Sequence, residues 1–307
     1  MNMSPTKQGV LFALAAYGAW GLFPVYFKQL EHLPADEILT YRVVFSAIFM
    51  TLIVSIAHGW TRVINIARQP KKLCLLAVSS LLIGSNWLLY IWAINNGHML
   101  ESSLGYFINP LVNVFLGVIL LRERLQTVQW VAVGLAIVGV LVQLWTLGSL
   151  PWIALGLAFT FGFYALIRKK LGVDSNSGLL IETLCMTPAV LVYLLFYRPD
   201  SIPALFTQES TSTLLLVIGT GVVTSVPLLF FNSAATRLRL STLGFFQYIS
   251  PSLLFFLAVF IYGEQITVSK LITFLFIWSA LALLIISMSY SQRLTHTALQ
   301  KQKKEKN

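Results

Sequence analysis

Long apolar runs alternate with short polar connections along the whole chain. Each run approaches the roughly 20 residues that a helix needs to cross the hydrocarbon core of a bilayer. Charged or Gly/Pro-rich breaks separate the runs. The pattern predicts an all-α membrane protein with ten transmembrane helices and little soluble domain. The predicted spans are 8–28, 36–57, 72–94, 100–120, 126–146, 151–168, 178–197, 212–235, 242–262 and 266–288.

Composition supports this interpretation. Hydrophobic residues make up 57% of the 307 residues and charged residues only 10%, whereas soluble proteins carry about 25% charged residues. The net charge of +10 resides in short connections, not on a folded polar face, so we expect a lipid bilayer and no nucleic acid as partner. Cys74 and Cys185 lie in apolar segments without a metal-ligand spacing, and we expect no metal, cofactor or catalytic residue.

The charges in the connections predict the orientation, because Lys and Arg collect on the cytoplasmic side of a membrane protein. With the amino terminus inside, seventeen Lys and Arg fall on the inner side and four on the outer side. The inner set includes Arg168, at the end of the sixth predicted span. We therefore expect both termini in the cytoplasm, with 289–307 as a basic cytoplasmic tail.

Two distant segments share a pattern: "LGYFINPLVNVFLGVILLRER" and "FFQYISPSLLFFLAVFIYGEQ". Pro110 and Pro251 lie 141 positions apart, as do Glu123 and Glu264. The same offset relates Gly21 to Gly162, Lys28 to Lys169, Ala93 to Ala234, Ile108 to Ile249 and Phe115 to Phe256. These matches predict two copies of a five-helix unit, 8–146 and 149–288.

A five-helix unit crosses the membrane an odd number of times, so the second copy must enter from the other side. Inverted repeats of this kind are the architecture of many secondary transporters, with a substrate site near the bilayer midplane. Prolines inside the spans remove a helix hydrogen bond, and irregular backbone is tolerated where it lines a cavity. The alternative is that the prolines only shape packing. The candidates for helix breaks are Pro24, Pro110, Pro227 and Pro251.

Arg42 and Glu182 fall inside predicted spans, where charges are costly and mark candidate functional sites. Arg42 and Glu182 occupy neighbouring positions of the two units, since Tyr41 and Glu182 are 141 positions apart. The functional interpretation is an anion-binding or gating arginine and a proton-coupling or cation-binding carboxylate. Snorkelling to the interface or a structural ion pair is the alternative.

Aromatic and amide side chains recur in several spans and would form a cavity suited to amphipathic organic solutes. The alternative for any one of them is a hydrogen bond between helices or a place in the aromatic belt. The candidates for the substrate cavity are Phe23, Tyr26, Asn86, Trp87, Tyr90, Tyr106, Asn109, Asn113, Tyr164, Asn232, Gln247 and Tyr248.

The fifth and tenth predicted spans are nearly free of such groups. Ala132 and Ala136 in the fifth form the small-xxx-small pattern of close helix packing. We therefore place these two helices at the periphery, as scaffolding or as the contact of an oligomer.

The segments "LGYFINPL", "NWLLYIWAINN" and "RLRLSTLGFFQYISP", together with the tandem unit, carry a family resemblance. The chain resembles the EamA group of the drug/metabolite transporter superfamily, and within it the bacterial RarD, or chloramphenicol-sensitivity, family. The resemblance covers nearly the whole chain. It implies a ten-helix carrier of the bacterial inner membrane, with two EamA repeats around a central cavity. It leaves the substrate open.

Other function classes fit the sequence less well. All four histidines fall in connections or the tail, which argues against an intramembrane enzyme. The chain lacks the G-x-x-x-x-G-K-[ST] phosphate loop of a primary pump. We expect a secondary transporter that exports a small organic metabolite or drug-like solute by alternating access, coupled to a proton or solute gradient. A non-transporting membrane receptor or assembly protein on the same fold is the alternative.

Overall fold

The computed structural model describes residues 3–148, 150–263 and 267–305, with side chains except at 94–95, 99–100 and 287–305. Within these ranges the chain is helical and forms no strand. The helices are α1 Pro5–Phe27, α2 Ala35–Ile56, α3 Trp60–Ala67, α4 Pro70–Asn95, α5 Met99–Leu121, α6 Thr127–Leu147, α7 Trp152–Leu171, α8 Ser175–Tyr197, α9 Ser201–Thr207, α10 Thr211–Arg237, α11 Leu240–Phe246, α12 Ile249–Phe256 and α13 Val268–Glu305.

Within the described residues, ten helical segments are long and apolar enough to cross a membrane. Nine are α1, α2, α4, α5, α6, α7, α8, α10 and α13; the tenth joins α11 and α12 and ends at Ile261. The predicted all-α, ten-span architecture is confirmed. The tenth span does not end at residue 288, because α13 continues through the polar segment that follows to Glu305.

Local sequence signals set the ends of several helices. Asp174 accepts a hydrogen bond from the backbone N–H of Ser177 (3.0 Å) and caps the start of α8. Ser210 does the same for α10 through the N–H of Thr213 (3.1 Å). Such caps satisfy backbone donors that have no partner within the helix. Gly172 ends α7 in the left-handed conformation (φ 57°), which glycine adopts without a steric penalty.

The prolines interrupt the helices less than we predicted. Pro24, Pro110 and Pro227 lie inside the uninterrupted helices α1, α5 and α10, so the prediction of a break there is wrong. A proline removes a single helix hydrogen bond, and packing by neighbouring helices holds the rest of a membrane helix together. Among the spans of the described residues, only the ninth is divided, between α11 and α12, just before Pro251.

The helices pack in a pattern that repeats between the two halves. α1 packs on α10 and α12, while its counterpart α7 packs on α4 and α5. α2 contacts α10 as α8 contacts α4, and the counterparts α2 and α8, α5 and α11, and α6 and α13 contact each other directly. The Tyr248 hydroxyl donates to the Phe107 carbonyl (3.1 Å) across 141 positions. This approximate two-fold relation, between units of five crossings, is that of inverted repeats.

The fifth and tenth spans, α6 and α13, pair at one edge of the bundle. The hydroxyl of Thr273 in α13 donates to the carbonyl of Gly139 in α6 (3.1 Å) and accepts from the amide of Gln143 (3.1 Å). Ala132 and Ala136 are fully buried. The small residues of α6 are therefore used within the chain, and an oligomer contact through these two helices stays a prediction.

Candidate functional site

Arg42 lies in the second turn of α2 and is held by three other helical segments. Its Nε donates to the hydroxyl of Thr224 in α10 (3.0 Å). The guanidinium carbon lies 5.1 Å from the centre of the Phe27 ring and 4.9 Å from that of the Trp87 ring. Phe27 and Thr224 were not among our predicted residues. Arg42 thus contacts residues of both repeats inside the bundle. It does not extend to the membrane surface, as the snorkelling alternative would require.

Two tyrosines complete this group. The rings of Tyr90 in α4 and Tyr106 in α5 contact each other edge to face, with centroids 6.0 Å apart. Their hydroxyls lie within electrostatic range of Arg42. Tyr90 is 36% exposed and Tyr106 is 37% exposed. Because these side chains converge from several helices, we interpret their exposed surface as the lining of a cleft. We call the group of Phe27, Arg42, Trp87, Tyr90, Tyr106 and Thr224 the aromatic cleft.

We interpret the cleft as open towards one face of the bundle, because Arg42 lies near one end of α2. We call the face at which α1 begins the amino-terminal face; α2 begins at the opposite face, and Arg42 lies near that end. Deeper in the bundle, Asn113 of α5 donates to the amide oxygens of Asn109 (3.3 Å) and Gln247 (2.9 Å). These three amides are buried. They form a buried layer on the side of the cleft nearer the amino-terminal face. This layer lies between α5 and the residues that separate α11 from α12.

A second polar group lies towards the amino-terminal face. The carboxylate of Glu182 in α8 accepts a hydrogen bond from the hydroxyl of Ser79 in α4. It also lies 3.7 Å from Nη1 of Arg168 in α7, and both side chains are 1% exposed. The Tyr164 hydroxyl interacts with Glu182 and donates to the amide oxygen of Asn232 (3.2 Å). We call these five residues the buried ion-pair cluster.

The placement of Arg168 corrects our assignment of this residue to an inner connection. Helix α7 continues to Leu171 and turns Arg168 into the bundle, where its nitrogens form no hydrogen bond with the described residues. A signal for this was present in the sequence. Tyr164 and Arg168 are spaced i, i+4 and therefore share one face of the helix, whereas Lys169 and Lys170 follow on other faces. Neither Arg168 nor Ser79 was among our candidates.

The two repeats differ sharply in exposure at equivalent positions. Phe231 is the counterpart of Tyr90, and Gln247 is the counterpart of Tyr106. Phe231 is 0% exposed and Gln247 is 5% exposed. Phe231 packs against the rings of Phe161 and Tyr164 (centroids 5.2 Å and 6.0 Å). The bundle is therefore open at the opposite face and closed at the amino-terminal face.

Other predicted cavity residues join helices to each other. The Asn86 amide donates to the carbonyl of Leu157 (2.8 Å) and the hydroxyl of Thr160 (2.9 Å), which ties α4 to α7. The Tyr26 hydroxyl donates to the carbonyl of Leu216 (2.5 Å). Phe23 contacts the ring of Phe27 below the cleft (5.5 Å). Asn86 and Tyr26 therefore make the interhelical contacts of the alternative interpretation.

Glu123 of the repeated motif holds the first piece of the broken ninth span. Its carboxylate accepts from the backbone N–H groups of Leu240 (2.7 Å) and Ser241 (2.9 Å) and from the Ser241 hydroxyl (2.6 Å). A carboxylate at a helix start satisfies free donors and the helix dipole. Its counterpart Glu264 lies outside the described residues. Among the residues that are described, no three His, Cys, Asp or Glu side chains form a group that could hold a metal ion.

Comparison with known proteins gives the family. The model of the EamA-like transporter family matches the chain twice, over residues 7–145 and 150–286. The chain belongs to the EamA-like transporter family. The two matches correspond to the two five-helix halves of the structure, and the predicted resemblance to the EamA group is confirmed.

Members of the EamA family from several bacteria are similar over almost the entire chain. Protein RarD of Escherichia coli is 57% identical over 295 residues, covering 96% of this chain and 99% of its own. An uncharacterized transporter of Vibrio cholerae is 51% identical over 289 residues, covering 92% and 95%. The chloramphenicol-sensitive protein RarD of Pseudomonas aeruginosa is 31% identical over 285 residues, covering 92% and 94%.

One solved crystal structure shares the fold of this EamA member. It covers 94% of this chain and 99% of its own with a TM-score of 0.70, at 17% sequence identity. The family, the relatives and the ten apolar helices together describe a multi-pass bacterial membrane protein of transporter type and point away from an enzyme.

Proposed function

We propose that this protein is a secondary transporter of the bacterial inner membrane that exports a small organic metabolite or drug-like solute by alternating access. The observation that supports this most strongly is the unequal exposure of equivalent positions. Tyr90 and Tyr106 line an open cleft, while their counterparts Phe231 and Gln247 are buried. Inverted repeats can exchange such environments, since each repeat can adopt the conformation of the other. The exchange would open the amino-terminal face and close the opposite one.

An untargeted comparison of metabolites inside and outside cells tests the transport function and does not require the substrate to be chosen in advance. Cells that overproduce the protein are expected to accumulate at least one small organic solute outside, and cells that lack it are expected to retain that solute. Purified protein in lipid vesicles must then move the same solute. If neither culture differs, the receptor or assembly function becomes the better explanation of the fold.

The distribution of Lys and Arg supports a cytoplasmic position of the amino-terminal face, so that the open cleft of the present state faces outward. In a background with C74S and C185S, cysteines placed at Arg62 and Gln208 report the two faces, since both positions are exposed. We expect a membrane-impermeant maleimide to label Gln208→Cys in intact cells, and Arg62→Cys only after the membrane is permeabilised. The reverse result would contradict the orientation and would make the open cleft face the cytoplasm.

We propose Glu182 as the carboxylate that couples transport to protons. One of its oxygens interacts with Ser79 and Arg168, while the other has no hydrogen-bond partner among the described residues and is free to carry a proton. Glu182 lies in the closed half of the bundle, so solvent reaches its carboxylate only when that half opens. Proton coupling requires such a change in access. Tyr90 and Tyr106 of the cleft, in contrast, are exposed in the present state.

Glu182→Gln is expected to make transport independent of a pH gradient, because the amide cannot release a proton in this pH range. Transport of the solute found by the metabolite comparison is measured in vesicles with and without an imposed gradient. Glu31→Gln, an exposed carboxylate between α1 and α2, is the matched control and should behave as the wild type. A gradient response that survives in Glu182→Gln would remove this residue from the coupling step.

A further inference from the structure

Arg42 is a cation inside the membrane-spanning bundle without an anionic partner. Among the described side chains, no carboxylate lies within ion-pair distance of it, and its electrostatic neighbours are the hydroxyls of Tyr90 and Tyr106. Arg168, which is fully buried, has Glu182 beside it. Charged side chains at membrane depth normally pair with each other or mark a ligand path. The open cleft therefore contains a positive charge that lacks a counter-ion.

The surroundings of Arg42 orient the guanidinium group. The rings of Phe27 and Trp87 lie close to it, and Nε donates a hydrogen bond to the Thr224 hydroxyl. No hydrogen bond from the described residues occupies the two terminal nitrogens, and together these form the donor pair that binds a carboxylate through two parallel hydrogen bonds. The hydroxyls of Tyr90 and Tyr106, which interact with each other, lie near the same point. The exposed faces of the tyrosine rings are suited to a flat apolar group.

We infer that the cleft binds organic anions, specifically carboxylates with a flat apolar body, with the carboxylate on Arg42 and the body against Trp87, Tyr90 and Tyr106. This inference rests on the proposed function, of which it names the substrate class. It requires only one charged group on the ligand, because Arg42 is the only charged side chain that the described residues place in the aromatic cleft. A cationic solute is disfavoured, since it would meet the uncompensated guanidinium.

Binding to the purified full-length protein tests the inference directly. The probes are phenylacetate and indole-3-acetate, with phenylacetamide as the neutral analogue and phenethylamine as the cation. Each carboxylate is expected to raise the thermal unfolding midpoint in proportion to its binding, and the amide and the amine are not. Arg42→Gln is expected to weaken carboxylate binding by about tenfold to a hundredfold, the usual effect of losing hydrogen bonds to a charged group.

Two further variants separate binding from folding. Arg42→Lys keeps the charge but loses the paired donors and is expected to bind with intermediate affinity. Arg62→Gln removes an exposed arginine on α3 and should bind as the wild type. Should Arg42→Gln fail to fold, Arg42→Lys carries the test. Unchanged carboxylate binding in Arg42→Lys would then overturn the inference, as would equal binding of phenylacetate and phenylacetamide by the wild type.

The metabolite comparison distinguishes this inference from the proposed transport function. If the exported solutes are carboxylates and Arg42→Gln abolishes their export, both stand. If neutral or cationic solutes are exported and Arg42→Gln has no effect, the transport function stands and the anion site is wrong. If carboxylates bind through Arg42 but nothing is exported, the site stands and the transport function is wrong. Binding of no carboxylate probe overturns the inference.

Discussion

Arg168→Leu is expected to destabilise the protein by about 3–5 kcal/mol, the usual cost of removing one partner of a buried ion pair. The variant leaves the Glu182 carboxylate inside the bundle, where the remaining partners among the described side chains are the Ser79 and Tyr164 hydroxyls. Both members of the pair are 1% exposed, so water cannot replace the lost guanidinium. The free energy of unfolding is measured by denaturant titration of the detergent-purified protein.

The double variant Arg168→Leu with Glu182→Leu separates an unpaired charge from lost packing. Replacing both partners of a buried pair by apolar residues is often neutral or even stabilising, so the double variant should recover most of the stability that the single variant loses. Arg62→Leu, at an exposed position of α3, is the control and should change stability little. A double variant less stable than Arg168→Leu would mean that the pair contributes mainly through shape and not through charge.

We expect the buried ion-pair cluster to affect the conformational equilibrium as well. It joins α4 of the first repeat to α7 and α8 of the second, at the face that is closed. Opening that face must separate these helices and hydrate the two charges. We therefore propose that the cluster stabilises the present state against its alternative, and that the pair contributes to gating as well as to the proposed coupling step.

Hydropathy and repeated residues were enough to predict the architecture. Every span is a run of about 20 apolar residues, and in lipid a helix satisfies all the backbone hydrogen bonds of such a run. The repeat was visible because Pro110, Pro251, Glu123 and Glu264 recur at one offset in a chain otherwise rich in interchangeable leucines. Glu123 also makes a specific contact in the structure, because its carboxylate caps the start of α11.

The candidate site was only partly predictable, for two physical reasons. A charge at membrane depth indicates a candidate site, and this signal identified Arg42 and Glu182. Arg168 lies next to two lysines, and this pattern is typical of a surface cluster. Small hydroxyl residues such as Ser79 and Thr224 carry no sequence signal of their own. Moreover, the shared offset predicts equal environments for Tyr90 and Phe231, and a carrier that is open at one face must break that symmetry.

This broken symmetry leads to the second large effect that we expect. In the C74S, C185S background, a cysteine at Tyr90 should react rapidly with a maleimide, and one at Phe231 should react slowly, since the first position is exposed and the second is buried. The pair of cysteines at Tyr106 and Gln247 should behave in the same way. Adding Arg168→Leu removes the pair that favours the present state, and minor states of transporters commonly lie only a few kcal/mol above the major one.

We therefore expect Arg168→Leu to raise the labelling rate of Phe231→Cys by about tenfold or more and to lower that of Tyr90→Cys, because a shift of a few kcal/mol exchanges the two populations. The opposite direction of the two changes is the decisive feature. Partial unfolding would raise both rates, and a rigid channel would change neither. Gln208→Cys, outside the bundle, reports general reactivity and should stay constant. Equal labelling of Tyr90→Cys and Phe231→Cys without Arg168→Leu would contradict the asymmetry on which alternating access rests.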